Sequence, residues 1–324
     1  MISKPSINIV WFKRDYRLSD HAPLASAISE GIPTLLLGFL EPALMAAPQS
    51  DIRHWRFVRQ SVDDINQRLP SGHQLHLIDG EVLETLQTIA KHFSISKIFS
   101  HEEVGIKVTY DRDKQVTNYC QQNGIEWIES PYAGVIRGIG KRKNWPRHWY
   151  STMGSIQVNI DLGKLRPVEL PDSLSSTWNK KDLLENIRQD VDSFQKGGEQ
   201  QALKYLQNFF SDRVANYNYH ISKPQQARKS CSRLSPYLAW GNLSMRQVYQ
   251  SALAAKKETK YGWHISSFMS RLRWHCHFIQ KFEMMDRYES ENINPAYNEL
   301  RSEWDEDIYQ KWYHGETGYP LIDA

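Results

Sequence analysis

The chain has 324 residues, of which 40% are apolar and 12% aromatic, and this composition is typical of a globular protein and excludes a disordered one. The formal net charge of +3 is too small to indicate a nucleic-acid partner by itself. Three scattered cysteines offer neither a disulfide framework nor metal-ligand spacing, and no apolar stretch reaches the length of a membrane span. We therefore expect a cytoplasmic protein of two domains.

Short apolar runs alternate with amphipathic stretches in the first 130 residues. The runs at 7–12, 34–40, 74–78, 97–100 and 125–128 predict strands, and the stretches at 22–29, 51–69, 81–93 and 110–122 predict helices. This alternation predicts a doubly wound α/β domain with a parallel sheet, at residues 1–130. No glycine-rich phosphate motif follows the first strand, so a classical dinucleotide site is not indicated.

Two groups of polar residues follow predicted strands. Asp20 is placed to cap the first helix, and Lys13, Arg14 and Arg17 are expected to pair with acids. His101-Glu102-Glu103 lies at the carboxyl end of the fourth strand, which is the ligand-binding edge of such a sheet. A solvated acidic loop is an equally good interpretation of these three residues.

Residues 131–196 are predicted to be an interdomain connector, because periodicity weakens there and Pro, Gly and Ser recur. The segment contains a cluster of basic and aromatic residues: Arg137, Lys141, Arg142, Lys143, Trp145, Arg147, His148 and Trp149. Such a cluster can follow a phosphate backbone. A solvated connector whose rings pack on a neighbouring domain is the more common meaning of this composition, and contact with DNA is the alternative.

The chain from residue 197 to 324 is predicted to be helical. The stretch Tyr261–Phe282 has two faces at helical spacing, one of them apolar and including Phe268 and Cys276. Arg271, Trp274, His275 and Phe278 form the second face, which fits either a cavity wall or a stripe that packs on another helix. His275 and His277 lie on different faces, which argues against a metal pair.

The segment from Ser230 to Ser244 begins with hydroxyls and a thiol and continues with an apolar, aromatic run. This pattern predicts a helix N-terminus whose serines cap the free N–H groups. An anion site is the second interpretation, because a helix N-terminus presents donors to phosphate.

Several motifs along the chain resemble those of the photolyase/cryptochrome flavoproteins. They are Gly197-Gly198-Glu199 at the entry to the helical part, Tyr219 with Ser232-Arg233-Leu234-Ser235, and the stretch from Gly315 to Ala324. The resemblance implies an N-terminal α/β antenna domain, a connector and an all-α FAD domain. It also implies that the family continues beyond residue 324, so we expect a chain that ends within the FAD domain.

Site residues follow from this resemblance by position. Tyr219, Ser232, Arg233, Leu234 and Ser235 would hold the FAD phosphates, and Phe268 would line the flavin pocket. The resemblance also implies an antenna chromophore of the folate or deazaflavin type, and His101 and Glu102, at the ligand-binding edge of the sheet, are the candidates to contact it. Trp274 matches an aromatic that stacks on a DNA lesion, with Arg271 and His275 beside it.

Two of these positions depart from the repair members of the family. Arg271 stands where those members carry a glutamate that hydrogen-bonds the dimer, and His275 stands where they carry an arginine. The function implied is a light-dependent lyase, monomeric, that splits pyrimidine dimers in damaged DNA by electron transfer from reduced FAD. The alternatives are a cryptochrome-like photoreceptor that signals without repair and a non-catalytic nucleotide-binding protein.

Overall fold

The computed structural model describes residues 4–178, 187–300 and 303–323. The chain divides into two compact units, residues 1–284 and residues 285–324. The sequence-based boundaries at 1–130, 131–196 and 197–324 divide the chain by element type, and they stay predictions.

The first unit contains a five-stranded parallel sheet with strand order β3-β2-β1-β4-β5. Strand β2 is buried along its whole length, since helices cover both faces of the sheet. The fold class predicted from the sequence is therefore confirmed. The strands are β1 (Ser6–Phe12), β2 (Thr34–Leu40), β3 (Leu75–Asp79), β4 (Ser94–His101) and β5 (Glu126–Ser130).

Helices connect the strands and then form the second half of this unit. Those of the sheet region are α1 (Ala22–Ser29), α2 (Pro42–Met45), α3 (Ile52–Asn66), α4 (Val82–His92) and α5 (Lys107–Asn123). The connector contributes α6 (Trp145–Gly154) and α7 (Asp172–Ser175). The helical part contains α8 (Glu199–Ser211), α9 (Tyr217–His220), α10 (Pro224–Ser230), α11 (Ser235–Ala239), α12 (Met245–Glu258) and α13 (Gly262–Met284).

Three apolar clusters fill the first unit. Two lie on the opposite faces of the sheet, around Val10 on one side and Ile9 on the other, as the alternation of side chains along β1 requires. The third belongs to the helical part and also takes in Trp145 and Trp149 from α6. The rings of the connector thus pack in a core, which was the more common of the two meanings of that composition.

The loop after β1 is tied to the segment between α11 and α12. Tyr16 donates its N–H to the Trp240 carbonyl at 3.1 Å, and Asn242 Nδ2 donates to the Tyr16 carbonyl at 2.8 Å. Gly241 has φ +65°, and a Cβ there would lie 2.0 Å from the Arg14 carbonyl oxygen. Glycine is required because the two backbones touch at this point.

Asp20 has a different role from the predicted helix cap. His21 is the N-cap of α1, and its Nδ1 accepts from the Leu24 N–H at 3.1 Å. Asp20 instead accepts hydrogen bonds from Ser244 and Arg246 of the helical part. The cap prediction was wrong because a partner 226 positions away competes for this carboxylate.

The second unit contains α14 (Glu306–His314) and α15 (Pro320–Asp323). Asp305 caps α14 through the Ile308 N–H, and Gly315 ends it in a left-handed conformation with φ +70°. The Asp323 carboxylate accepts from the N–H groups of Thr317 and Gly318, each at 2.9 Å. Among the described residues of both units, no helix is long and apolar enough to cross a membrane.

Candidate functional site

The turn between α10 and α11 is shaped to hold an anion. Arg233 adopts the left-handed conformation with φ +57°, and Leu234 follows with φ −89° and ψ −6°. Turns that combine left-handed and right-handed residues can direct successive backbone N–H groups toward one anion. The Leu234 N–H donates to the Ser232 Oγ at 3.5 Å, so the N–H groups of Arg233 and Ser235 are the ones left for an anion. We call residues 231–235 the anion turn.

Two side chains hold the anion turn in this strained conformation. Arg213 donates from Nη1 to the Cys231 carbonyl at 2.7 Å and from Nη2 to the Tyr205 carbonyl at 2.8 Å. Gln195 donates to the Arg233 carbonyl at 2.9 Å and accepts from the Arg233 guanidinium at 3.0 and 3.1 Å. These bonds offset the cost of a left-handed non-glycine residue.

The anion turn is also positively charged. Neither Arg213 nor Arg233 forms an ion pair with a carboxylate in the described part of the chain. Burial lowers the pKa of Arg213, with nearby Arg233 acting in the same direction, yet a guanidinium stays charged at any physiological pH. Its Nε is buried and has no hydrogen-bond partner among the described residues. A diphosphate bound at this turn would place negative charge beside two arginines that have no carboxylate partner among the described residues, so the residues present fit a dinucleotide such as FAD.

The other residues predicted to hold the phosphates differ in their exposure to solvent. Ser235 is exposed at the start of α11, whereas Leu234 is buried in the helical core. Tyr219 is 59% exposed, and its ring meets Trp263 and His264 edge-on. Beside Tyr219 on α9, His220 contacts Ser230 Oγ through Nδ1 at 2.7 Å, which fastens that helix to the end of α10, next to the anion turn.

Phe268 lies in a cluster of rings in the core. It is 3% exposed, and its ring centroid is 4.8 Å from that of Phe209 and within 6.1 Å of those of Phe210 and Tyr217. None of the described cavities is lined by Phe268. Its predicted place in a flavin pocket stays a prediction.

The predicted lesion residues share the outer side of α13. Arg271 is exposed, and Trp274 is 46% exposed with its ring against His277 and Phe278. His275 is half-buried, and its Nδ1 is buried without a hydrogen-bond partner among the described residues. Burial lowers the pKa of His275, so this imidazole is neutral near pH 7. The structure places all three on one helix, outside the cavities described.

A second polar site lies where β1 and β4 end side by side. In the strand order β3-β2-β1-β4-β5, the chain runs from β1 toward one edge of the sheet and returns through β4 toward the other edge. The gap between β1 and β4 is therefore the topological switch point, where open α/β sheets bind ligands. The Asp15 carboxylate accepts from the Lys13 N–H at 2.8 Å and from His101 Nδ1 at 2.6 Å. His21 Nε2 lies 2.9 Å from the same Asp15 oxygen.

Burial and hydrogen bonding fix the charge states of this site. Burial by itself raises the pKa of Asp15, but its interactions with His21 and His101 outweigh burial and hold the pKa well below the usual value. Burial lowers the pKa of His101 to about 4, against the opposing effect of its bond to Asp15. His101 is therefore neutral near pH 7, with its proton on Nδ1 and a lone pair on Nε2.

Asp15, His21 and His101 bring their polar atoms within 4.8 Å of one another, which is a spacing that could hold a metal ion. His21 Nδ1 accepts the Leu24 N–H, so the neutral ring must carry its proton on Nε2. A metal at Nε2 would need the opposite tautomer and would leave the Leu24 N–H unpaired. The donor set therefore fits a hydrogen-bonded group better than a metal centre.

A cavity of about 460 Å³ opens beside His101. Its wall is mostly apolar and combines the sheet edge with the helical part, through Tyr132, Met153, Leu238, Leu243 and Met245 among others. Glu102, the neighbour predicted with His101, is not among the residues that line it. Burial raises the pKa of Glu102, which Arg137 partly opposes. The sequence thus identified His101 but not its partners Asp15 and His21.

The basic residues after β1 close this edge of the sheet. Lys13 pairs with Asp113 at 2.8 Å and lies 3.6 Å from Glu129, which confirms its predicted role. Arg17 instead donates to the carbonyls of Ser19, Asp20 and Gly241, so the prediction that it pairs with acids was wrong. The edge around His101 therefore combines Lys13, which is ion-paired, with Arg17, which is held by backbone carbonyls.

Two protein-family models match the chain. Residues 8–140 match the family model described as DNA photolyase, and residues 268–324 match that described as the FAD binding domain of DNA photolyase. The first range takes in the sheet and its edge, and the second takes in Phe268 and the outer side of α13. The fold and these matches define a flavoprotein of the DNA photolyase type.

Photolyases and cryptochromes are both similar to this chain over nearly its whole length. The deoxyribodipyrimidine photo-lyase of Alkalihalophilus pseudofirmus is 27% identical, over 100% of this chain and 69% of its own length. Cryptochrome-2 of Gallus gallus is 25% identical over 98% and 58%, and cryptochrome DASH of Synechocystis is 26% identical over 99% and 69%. The chain belongs to the photolyase/cryptochrome family and spans between 58% and 69% of the length of these three relatives.

Solved structures show the same fold. The chain superposes on a class III photolyase from Agrobacterium tumefaciens with a TM-score of 0.76 and 22% identity, over 100% of this chain and 68% of that one. A cryptochrome from Synechocystis gives a TM-score of 0.77 at 22% identity, over 100% and 71%. A photolyase from Sulfolobus tokodaii, described with two FAD molecules, gives 0.72 at 21% identity, over 98% and 69%.

Proposed function

We propose that this protein is a light-dependent DNA repair lyase that binds FAD and splits pyrimidine dimers. The observation that carries the proposal is the anion turn, with its convergent N–H groups and two arginines that lack carboxylate partners among the described residues. It lies in the part of the chain where the family resemblance puts the FAD diphosphate. The photo-lyases among the relatives support the reaction type.

Each residue of the proposed site has a defined task. The N–H groups of Arg233 and Ser235 bind the diphosphate, and Arg213 and Arg233 neutralise its charge. Bound reduced FAD supplies the excited electron donor. Trp274 offers an exposed ring on which an extruded base can stack. Arg271 donates hydrogen bonds to the base edge or to a phosphate, since a guanidinium cannot accept one.

The cavity beside His101 is proposed to hold a second, light-harvesting chromophore of the folate or deazaflavin type. Its apolar wall suits a planar ring, and the His101 Nε2 lone pair accepts a hydrogen bond from a ring N–H. The Sulfolobus tokodaii relative is described with two FAD molecules, which supports a second chromophore in this fold.

Blue-light repair by the full-length protein tests the main proposal. We expect reduced, FAD-loaded protein to restore a dimer-containing oligonucleotide only under illumination. Arg213→Gln should lower the affinity for FAD and equally for ADP, which shares the diphosphate, whereas Arg142→Gln should leave both affinities unchanged. Arg213→Gln protein that folds and retains wild-type affinity for both ligands would refute the anion turn as the phosphate site.

A photoreceptor without repair activity is the second candidate. Arg271 favours it, because repair members of the family carry a glutamate at the corresponding position. The cryptochromes among the relatives, at 24–26% identity, support it as well. Light-induced reduction of bound FAD without loss of dimers would establish this candidate and reject the lyase.

A separate titration tests the second chromophore. We expect folate-type or deazaflavin-type chromophores to bind the protein with quenched or shifted fluorescence, and His101→Phe to weaken that binding at least tenfold. Glu102→Gln is the matched control, since Glu102 does not line the cavity. Equal effects of the two substitutions would contradict the assignment of the cavity.

A further inference from the structure

A cavity of about 490 Å³ lies along the outer edge of β3. It is lined by residues 74–77, by helix α3, and by Trp178 and Arg188. Helix α3 packs in the apolar cluster around Val10 and Trp178 packs in the cluster around Ile9, and these clusters lie on opposite faces of the sheet. The cavity therefore borders the strand edge from both faces, and we call it the edge cavity.

Strand β3 is the last strand on its side of the sheet, so half of its backbone groups face away from any neighbouring strand. Leu75 directs its groups outward, because its N–H donates to Asn66 Oδ1 at 2.7 Å and its carbonyl accepts from Asn66 Nδ2 at 3.1 Å. Backbone groups of alternate residues point to the same side, so those of Leu77 face outward as well. Gly80 has the opposite parity, and its N–H donates to the Leu40 carbonyl of β2. The edge cavity, which Leu77 lines, therefore receives one N–H donor and one carbonyl acceptor.

The amide of Asn66 shows what kind of group this edge accepts. Its oxygen and its nitrogen are attached to one carbon, and together they bond the N–H and the carbonyl of a single residue, Leu75. A ring that contains the group O=C–N–H presents the same acceptor and donor. Leu77 offers the matching pair of backbone groups within the edge cavity. Because Asn66 closes the edge at Leu75, a small cyclic amide fits this edge better than a partner strand, which needs several successive residues.

Trp178 supplies a second donor to the edge cavity. Its side chain is 4% exposed, and its Nε1 is buried without a hydrogen-bond partner among the described residues. The ring of His76 packs edge-on against it, with centroids 5.3 Å apart. A buried N–H costs free energy unless an acceptor satisfies it. Because Trp178 and His76 both line the edge cavity, a ligand carbonyl there can be that acceptor.

Arg188 is the uncompensated charge of the edge cavity. Arg59 forms ion pairs with Asp63 and Asp190, and Lys196 lies 3.6 Å from Asp190, so these two cations balance the two acids. Arg188 is exposed and lies within ion-pair distance of no carboxylate in the described part of the chain. Burial raises the pKa of Asp63, which Arg59 and Arg188 oppose through their positive charge. A guanidinium without a carboxylate partner at the wall of a cavity suits a phosphate group.

Uracil and thymine contain the group O=C–N–H, with a second carbonyl on the other side of the N–H. We propose that the edge cavity binds a pyrimidine nucleoside monophosphate that carries such a base. Its O=C–N–H group pairs with Leu77, its second carbonyl accepts from Trp178 Nε1, and its phosphate lies against Arg188. The edge cavity shares no lining residue with the cavity beside His101, and no residue of the anion turn lines it. The inference therefore does not rest on the proposed function.

Isothermal titration calorimetry with uridine monophosphate tests the inference, using full-length, FAD-loaded protein in the dark. We expect saturable binding at one site. Arg188→Gln should weaken the binding of uridine monophosphate about tenfold and leave that of uridine unchanged, because only the monophosphate carries the phosphate. Arg147→Gln, at another exposed arginine, is the matched control. No binding of uridine monophosphate, equal effects of the two substitutions, or inorganic phosphate bound as tightly would overturn the inference.

The base contacts are tested separately. The 3-methyl derivative of uridine monophosphate lacks the N–H that donates to the Leu77 carbonyl, so it should bind the wild-type protein about tenfold more weakly. Trp178→Phe keeps a ring but removes the donor, and it should weaken uridine and uridine monophosphate alike, about fivefold. Trp127→Phe is the matched control, since the Trp127 indole donates to Ser100 outside the edge cavity. Equal affinities for the methylated ligand or for adenosine monophosphate would overturn the assignment of the base.

Arg213→Gln and His101→Phe separate the edge cavity from the two sites of the proposed function. We expect both variants to bind uridine monophosphate with wild-type affinity. Loss of that binding in either variant would place the nucleotide at the anion turn or beside His101 and would overturn the inference. Loss of FAD binding or of dimer repair, with intact binding of uridine monophosphate, would reject the proposed function alone.

Discussion

The Asp20 carboxylate accepts hydrogen bonds from Arg246 Nη2 at 2.5 Å and Nε at 3.0 Å, across 226 positions of the chain. It also accepts from the Ser244 hydroxyl and from the Val158 N–H. A single buried side chain thus joins the sheet region to both the connector and the helical part. The contacts of Asp20, and those of His101, the anion turn, Arg271 and Gly241, each predict the effect of a substitution.

Asp20→Asn should destabilise the protein by about 2 kcal/mol near pH 7, because an amide replaces a charged acceptor of several donors. Burial raises the pKa of Asp20, but the bonds from Arg246 and Ser244 outweigh burial and lower it below 3.8. The stabilisation is therefore present above pH 4 and is lost as the pH falls through the depressed value. Denaturant unfolding measures the stability, and Asp161→Asn, at an exposed turn, is the control. Equal stabilities of the two variants would contradict this role of Asp20.

His101 should make the protein less stable in mild acid. Its folded pKa of about 4 lies below the ordinary 6.5, so the unfolded chain binds the proton first. Stability is then complete above pH 6.5 and falls by up to about 3 kcal/mol between pH 6.5 and pH 4. Unfolding curves at pH 7 and pH 5 should show a smaller loss for His101→Gln. Burial also lowers the pKa of His76 to about 4, so His76 should contribute to the same loss of stability in acid. If His101→Gln protein loses as much stability between pH 7 and pH 5 as the wild type, His101 is not a cause.

Ser232→Ala together with Ser235→Ala should weaken FAD binding more than either change alone. The prediction that these serines cap the helix was wrong, since Leu234 is the N-cap of α11 and no side chain caps it. A hydroxyl that bonds a charged phosphate is worth about 1.5–3 kcal/mol. Flavin content after extensive dialysis measures the effect, with Ser211→Ala at the end of α8 as the control. Unchanged content in the double variant would mean that the serines do not contact the cofactor.

Arg271→Ala should weaken binding to lesion-containing DNA more at low salt than at high salt, because an exposed guanidinium acts through screened electrostatics. Repair should persist with altered lesion preference, and Arg271→Glu should weaken binding further by repulsion. Binding and blue-light repair of wild-type and variant proteins, with Arg228→Ala as the control, measure this. No change in either assay would make Arg271 an ordinary surface cation.

Gly241→Ala should destabilise the protein by about 3 kcal/mol, since the new Cβ would lie 2.0 Å from the Arg14 carbonyl in a left-handed conformation. Gly124→Ala has a similar φ of +66° but nothing within 4 Å, so it should cost only about 1 kcal/mol. Thermal unfolding of the two variants separates backbone contact from backbone strain. Equal shifts would show that the contact with Arg14 is not the cause.

Local sequence patterns predicted the helices and strands well, but they did not predict which distant residues these elements contact. Strand β2 was predicted at its observed bounds, because a continuous apolar run can be buried only inside such a sheet. Strand β4 begins earlier than predicted, since the polar residue Ser94 pairs with Ser6 of β1 through the backbone. Periodicity records which residues are buried, and it carries no information on backbone pairing at polar positions.

The candidate sites show the same limit. The hydroxyls of the anion turn were visible in the sequence, but Arg213 and Gln195 were not, because they approach from 18 and 38 positions away. His101 was found at the strand end, whereas its partner Asp15 is 86 positions earlier. Only the fold brings these groups together, so their roles follow from three-dimensional contacts that no local motif records.

Glu199 is synthesised long after the residues whose backbone it binds. Its carboxylate accepts from the N–H groups of Leu18 and Ser19 at 2.8 and 3.2 Å, and those donors precede it by about 180 positions. A ribosome adds roughly 5–20 residues per second, so the two amides wait on the order of 10–40 s for their acceptor. In the last part of that interval, after residue 130, the nascent sheet has all its strands but lacks the group that closes its ligand-binding edge. The newly made protein therefore acquires a finished edge only when the first helix beyond the connector emerges.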